Sequence, residues 1–159
     1  MNNSNSGFIT RSIELAVEAG AHGNRPFGAV FVAADGTVLA EGRNEVGSSG
    51  DITAHAELVA IRNATANGLA DRFAGSVMYA SGEPCPMCAA ACVWAGVARI
   101  VFAASTQGFT PILPGGPHFR LSCAEVVAAT DAPVDVDGPV YEGPALQAMR
   151  AATPLARPR

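Results

Sequence analysis

Residues 76–103 read SVMYASGEPCPMCAAACVWAGVARIVFA, and the fold turns on how this stretch is parsed. Ser76 to Ala80 is a short run dominated by apolar and aromatic residues, which reads as a strand. Pro84 and Pro86 then open a helix that runs through Trp94, because proline suits a helix's first turn, where an N–H has no partner to lose. Arg99 to Ala103 is a further apolar run, a strand buried by its composition. Upstream, Gly28 to Val32 and Thr37 to Gly42 are joined by Ala34-Asp35-Gly36, and Asp-Gly between apolar runs is a strong hairpin signal. After the polar loop from Asn44 to Asp51, Thr53 offers an N-cap for a helix reaching about Asn67. The order after the first hairpin predicts an α/β sandwich with a mixed sheet.

The flanks complete the pattern. Phe8 to Ala19 is an amphipathic helix, apolar at Phe8, Ile9, Ile13, Ala16 and Val17, ended by Gly20 and Gly23. Gln107 to His118 is a Gly/Pro-rich loop. Leu121 to Thr130 reads as a helix opened by a Ser122/Glu125 capping box, Val134 to Tyr141 as a fifth strand, and Pro144 to Ala152 as a last short helix. Residues 1–152 form a single domain on this reading, and residues 153–159 a loose tail.

Composition narrows the chemistry. The 159 residues carry 14 acidic and 10 basic side chains, for a formal charge of −4, and 49% are hydrophobic against 15% charged, which excludes long-range disorder. All 10 basic residues are arginine, so mechanisms that need a Schiff-base or P-loop lysine are excluded. The acidic balance argues against a dedicated nucleic-acid surface. Met1 to Gly7 lacks the basic and apolar regions of a secretory signal, and no apolar run reaches the roughly 18 residues needed to span a bilayer. A cytoplasmic protein with no membrane partner is expected.

Four cysteines are too few for a disulfide scaffold, and their spacing says more than their number. Cys85 and Cys88 stand at i and i+3 on a helix start, facing the same way, where the helix N-terminus stabilises thiolates. With His55, at the start of the preceding helix, they supply three zinc ligands and leave the fourth position to water, the pattern of a catalytic site. Zinc lowers the pKa of that water toward neutrality, which yields a hydroxide nucleophile. Glu57, two residues after the histidine, is placed to take and return the proton as general acid and base. A lone Cys-x-x-Cys is also compatible with a redox pair or with half of a structural zinc site. Cys92, one turn on, is either a fourth ligand or, among its alanine neighbours, an ordinary buried thiol, which is the preferred reading. The joint pattern, His-x-Glu, 26 intervening residues, then Pro-Cys-x-x-Cys, favours the catalytic site.

On that pattern the chain resembles the cytidine deaminase-like superfamily of zinc deaminases. Arg25-Pro-Phe-Gly-Ala-Val, Glu41-Gly-Arg-Asn44, Thr53-Ala-His-Ala-Glu57 and Glu83-Pro-Cys-Pro-Met-Cys88 look most like its bacterial guanine deaminase and tRNA adenosine deaminase branch. The resemblance implies a three-layer α/β/α sandwich on a five-stranded mixed sheet, one Zn2+ per subunit with a bound water or hydroxide, a homodimer, and hydrolytic release of an exocyclic amine as ammonia. It implies that Asn44 hydrogen-bonds the base and that Phe27 and Trp94 wall the pocket. The backbone N–H of Ala56, at a helix start, is placed to meet the base's carbonyl.

Within the branch, a free nucleobase substrate is expected: guanine, or a related amino-azine such as cytosine, another aminopurine or an amino-triazine. The stretch Ser105-Thr-Gln-Gly-Phe-Thr-Pro-Ile-Leu-Pro-Gly-Gly-Pro lacks the Gly-Ala-Ala-Gly-Ser-like run usual in tRNA-editing enzymes. Relatives also carry an additional acid after the fourth strand or near the C-terminus. Gln107 to His118 contains none, which leaves Glu142 either as that acid or as a solvated loop glutamate. His118 either lines the pocket entrance or faces solvent, and His22 is a helix C-terminal cation. A tRNA-editing adenosine deaminase is the alternative function, and a non-catalytic structural zinc protein the weaker one.

Overall fold

The computed structural model describes residues 3–153. Its elements in chain order are α1 (Asn3–Ala21), β1 (Gly28–Val32), β2 (Val38–Arg43), α2 (Val46–Ser49), α3 (Ala56–Ala66), a 3-10 turn (Ala70–Arg72), β3 (Val77–Gly82), α4 (Pro86–Ala95), β4 (Arg99–Ala104), α5 (Thr106–Phe109), α6 (Cys123–Ala128), β5 (Asp135–Asp137) and α7 (Glu142–Ala152). The strands form one sheet in the order β2-β1-β3-β4-β5. β1 runs antiparallel to β2 and β3, while β3, β4 and β5 are mutually parallel neighbours, so the sheet is mixed.

Alternate strand residues feed opposite layers, which is why β1, β3 and β4 read as nearly unbroken apolar runs. Ala29, Phe31, Met78 and Ile100 face a layer holding Ala56, Ala60 and Ala64 of α3, Ala89 and Cys92 of α4, and Cys123 and Val127 of α6. Val30, Val32, Tyr79 and Val101 face the other layer, with Ile9 and Leu15 of α1 and Ala145 and Met149 of α7. Phe31, Met78 and Ile100 are wholly or almost wholly buried. Truncating any of them to alanine costs about 2–5 kcal/mol, from lost burial plus the cavity left behind. The three-layer sandwich on a five-stranded mixed sheet is therefore the architecture, as the resemblance implies.

Close approach of α3 to β2 depends on Gly42. A Cβ at that position would stand 2.1 Å from the Ala56 carbonyl oxygen and 2.6 Å from the Ala60 nitrogen, so the helix rests directly on the strand's backbone. This contact sets the position of the helix start, and with it the residues at 55–57.

Three boundaries depart from expectation for physical reasons. α1 begins at Asn3 rather than Phe8, and its polar first turn is tied to the sheet by Tyr79, whose hydroxyl donates to Asn5 Oδ1 at 2.6 Å. β5 is limited to three residues, since Pro139, just beyond it, has no N–H for a ladder bond. Thr53 does not cap α3: its N–H and hydroxyl both donate to Asp51 Oδ1 in a tight turn, and the helix starts two residues later, with His55 in the cap position. The expected tail, apart from Thr153, lies outside the described residues.

Candidate active site

Two helix starts build the site. His55 and Cys85 occupy the N-cap positions of α3 and α4, both with extended backbone, at ψ 153° and 169°, and neither makes a side-chain cap bond. Each backbone carbonyl opens its helix, His55 O accepting from Val59 N at 2.9 Å and Cys85 O from Ala89 N at 2.8 Å. The side chains are thereby free to turn toward one another. His55 Nδ1 lies 3.6 Å from both Cys85 Sγ and Cys88 Sγ, and the three ligand atoms fall within 4.8 Å of each other.

This spacing tests whether the residues fit a metal. A tetrahedral zinc about 2.05 Å from nitrogen and about 2.3 Å from sulfur separates N and S donors by about 3.6 Å, which the His55–cysteine distances match. One imidazole with two thiols is also a donor set suited to zinc. The donor set fits.

Electrostatics around the site are strongly coupled. The Cys85 thiol is pulled down to about 4, first by a hydrogen bond from Cys88 and further by His55, against the opposing effect of burial. Cys88 goes the other way, its proton held by the neighbouring Cys85 thiolate and by burial. Cys85 in turn raises His55 by accepting its hydrogen bond. A divalent cation entering here would bind both sulfurs as thiolates, so its binding is linked to release of thiol protons. Glu57, in the first turn of α3 and only 6% exposed, is pushed above the usual carboxylate range chiefly by burial. A buried acid of raised pKa beside a metal-competent cluster has the character of a proton carrier.

Around this centre the structure sorts the other expected residues. Asn44 is buried and its Oδ1 accepts from Val46 N at 3.1 Å, which leaves Nδ2 as its donor group. Asn44 N donates to Phe27 O at 3.0 Å, joining these two residues across the β1–β2 edge. The Phe27 ring meets Phe109 edge-on at 5.1 Å and covers Gly82, where a Cβ would stand 2.6 Å from the ring. Ala56 is fully buried at the first position of α3. Glu142 is not on a loop but opens α7, and its Oε1 accepts from Ser105 N and Ser105 Oγ.

Trp94 requires correction. It is 89% exposed and does not wall a pocket with the ligands within one chain. Cys88, Ala89 and Cys92 turn inward, and Trp94, about 200° around the helix from Cys92, points the opposite way. Cys92 is a fully buried thiol, as preferred, and so is Cys123; Cys92 is raised by burial and Cys123 is pushed up to about 12, also first by burial. His118 is exposed and lines a cavity of about 680 Å³ with Phe102, Thr106, Phe119 and Arg120. His22 Nδ1 is 2.7 Å from Glu18 O at the end of α1.

Several residues near the site carry no local sequence signal. Glu83, next to Pro84 and Cys85, uses both carboxylate oxygens, accepting from Thr106 N at 3.1 Å and Cys123 N at 3.0 Å. Arg25 Nη2 donates to Leu113 O at 3.0 Å, tying the approach to β1 to the Gly/Pro-rich loop. Phe109 backs Phe27. Their partners lie far away in sequence, so only Glu83, by adjacency to the cysteine motif, was open to detection.

Comparison with known proteins agrees with this geometry. The family model of the cytidine and deoxycytidylate deaminase zinc-binding region matches residues 2–104. The chain belongs to this zinc deaminase family. It is 46% identical to the guanine deaminase of Bacillus subtilis over 100 residues, covering 61% of this chain and 62% of that protein. It is 42% identical to the tRNA-specific adenosine deaminase of Haemophilus influenzae over 94 residues, covering 59% of this chain and 54% of that one. The match thus spans less than two thirds of either relative's length. Among solved structures, the guanine deaminase from Nitrosomonas europaea superposes with a TM-score of 0.77 at 25% identity, over 91% of this chain and 82% of that one. His55, Cys85 and Cys88 are placed so that they could hold the metal of this zinc-binding family. No helix among the described residues is long and apolar enough to cross a membrane.

Proposed function

We propose that this deaminase-family chain hydrolyses the exocyclic amine of a free nucleobase, guanine or a related amino-azine such as cytosine, another aminopurine or an amino-triazine. The observation that carries this reading is the buried Glu57 carboxyl beside a three-donor cluster. A structural zinc protein has no use for a buried, non-ligating acid at that place.

When bound, zinc supplies a Lewis acid and acidifies water at neutral pH. Glu57 would take one proton from the attacking water and deliver it to the ring nitrogen next to the amine-bearing carbon. It would then take the second proton from the added oxygen and pass it to the amine, so that a C–O bond replaces the C–N bond and nitrogen leaves as ammonia. Asn44, through Nδ2, and the Ala56 N–H orient the base, and Phe27 supports one face of it. Burial keeps Glu57 able to hold a proton at the pH where it must also give one up.

A small neutral substrate, rather than tRNA, is favoured by the state of the arginines. Five of the eight described arginines, Arg11, Arg43, Arg62, Arg72 and Arg99, are each paired with a carboxylate of the same chain, which leaves Arg25, Arg120 and Arg150 for a polyanion. A polyanion needs uncommitted cations, because its affinity comes chiefly from phosphate contacts. A homodimer is part of this reading, supported by the exposed indole of Trp94; light scattering that returns a single 16.2 kDa chain removes it.

The test is ammonia release by zinc-loaded protein from guanine, adenine, cytosine, 2,6-diaminopurine, melamine and unmodified tRNA. Turnover of at least one free base, with none of tRNA, is expected. Turnover of tRNA alone overturns the substrate class, and no ammonia from any of them overturns the enzymatic reading.

A further inference from the structure

Two glutamates grip the turn that follows β4, and they do so differently. Glu83 accepts with both oxygens, one bond from Thr106 N and one from Cys123 N. Glu142 accepts twice on a single oxygen: Oε1 receives Ser105 N at 3.0 Å and the Ser105 hydroxyl at 2.6 Å. That hydroxyl in turn accepts from Gly108 N at 3.1 Å as the cap of α5. Gly108 is confined by the same carboxylate, since a Cβ there would stand 2.4 Å from Glu142 Oε1. α5 ends at Phe109, whose ring supports Phe27 edge-on over Gly82, three residues before Cys85.

We propose that Glu142 is a positioning residue for the deamination and carries no proton. It holds Ser105–Phe109 in place, and through Phe109 it holds Phe27 against the base. The kinetic part of this inference rests on the free-base reading above. Because both bonds converge on one oxygen, a glutamine carbonyl reproduces them, whereas a glutamine cannot exchange protons as a carboxyl does. Glutamine at position 83 cannot do the same, since its NH2 would face a backbone N–H.

The experiment compares zinc-loaded wild type, Glu142→Ala, Glu142→Gln and Gly108→Ala by amide hydrogen exchange over residues 105–109 and by steady-state ammonia release. Glu142→Ala and Gly108→Ala are expected to speed exchange there. They should also raise KM on the order of tenfold with a smaller change in kcat, as loss of substrate positioning does. Glu142→Gln is expected to rescue both readouts to within about twofold of wild type, because its carbonyl keeps both bonds. A Glu142→Gln protein with wild-type exchange and kcat down about 100-fold or more makes Glu142 a catalytic acid and overturns the proposal. Unchanged exchange and KM in Glu142→Ala overturn it as well. If Glu142→Ala does not fold, Gly108→Ala keeps Glu142 in the chain and carries the same comparison. Should wild type release no ammonia from any base, the free-base reading fails, while the exchange pattern still supports or refutes the grip on Ser105.

Discussion

Helices α4 and α6 pack on the same face of the sheet and begin in opposite ways. At α6, Ser122 accepts from Glu125 N at 3.1 Å while Ser122 N donates to Glu125 Oε2 at 2.7 Å, so the cap side chains serve the helix's own amides. At α4, as at α3, the cap position holds a residue of the three-donor cluster that makes no side-chain cap bond. Cys85 and His55 turn across the gap to each other instead. The capping box at α6 serves that helix's own stability, whereas at α3 and α4 the cap side chains are turned toward the three-donor cluster. This contrast also explains why Thr53 misleads as a cap signal: a residue suited to capping stands two positions before the cap residue His55, in a turn of its own.

The contrast breaks first at the ligands. Cys88→Ala is expected to lose the zinc entirely, and elemental analysis showing one zinc per chain would refute the assignment. Thiol exposure sharpens it next. In zinc-free protein, iodoacetamide should modify Cys85, which is half-buried, while the wholly buried Cys92 and Cys123 stay unmodified. Adding zinc should protect Cys85. Mass spectrometry that finds Cys123 labelled as fast as Cys85 would contradict the division into ligands and core thiols.

At the other helix start the effects are smaller and belong to stability. Ser122→Ala should cost about 1 kcal/mol in urea unfolding and leave zinc content and turnover unchanged. A loss of zinc in that variant would mean that α6 is not independent of the site. The smallest effect is a pH dependence. Glu125 is held below its ordinary value of 4.5, first by the Ser122 backbone hydrogen bond, so its folded pKa lies below its unfolded one. Its contribution is fully present above the unfolded value and fades as pH falls through the folded value. The gap in unfolding midpoint between wild type and Glu125→Ala should therefore be constant near neutrality and narrow on acidification. A gap that widens on acidification has the wrong sign for a capping carboxylate.

Features encoded locally were legible in the sequence. β1 runs from Gly28 to Val32 as the apolar run implies, the Ser122/Glu125 box is formed, and His55, Cys85 and Cys88 meet. The first two rest on spacing within one strand or helix start; the third joins helix starts 30 positions apart and was legible because His-x-Glu and Pro-Cys-x-x-Cys carry it jointly. Long-range pairings outside such a motif were not. Glu142 meets Ser105 across 37 positions and Glu83 meets Cys123 across 40, and no periodicity announces either pairing. Trp94 was placed at the pocket by the resemblance alone; within one chain its indole is exposed, and the alanine-rich sequence of α4 does not mark which face turns outward.

The proposed role of Glu57 is to move protons beside a zinc held by other residues. Its most direct test is Glu57→Gln measured against wild type on the best free base, with zinc content determined in the same samples. Full zinc in both is expected, with a turnover lower by about 10²–10⁴-fold in the variant, the contribution of a general acid/base. Turnover near wild type at full zinc content would contradict it.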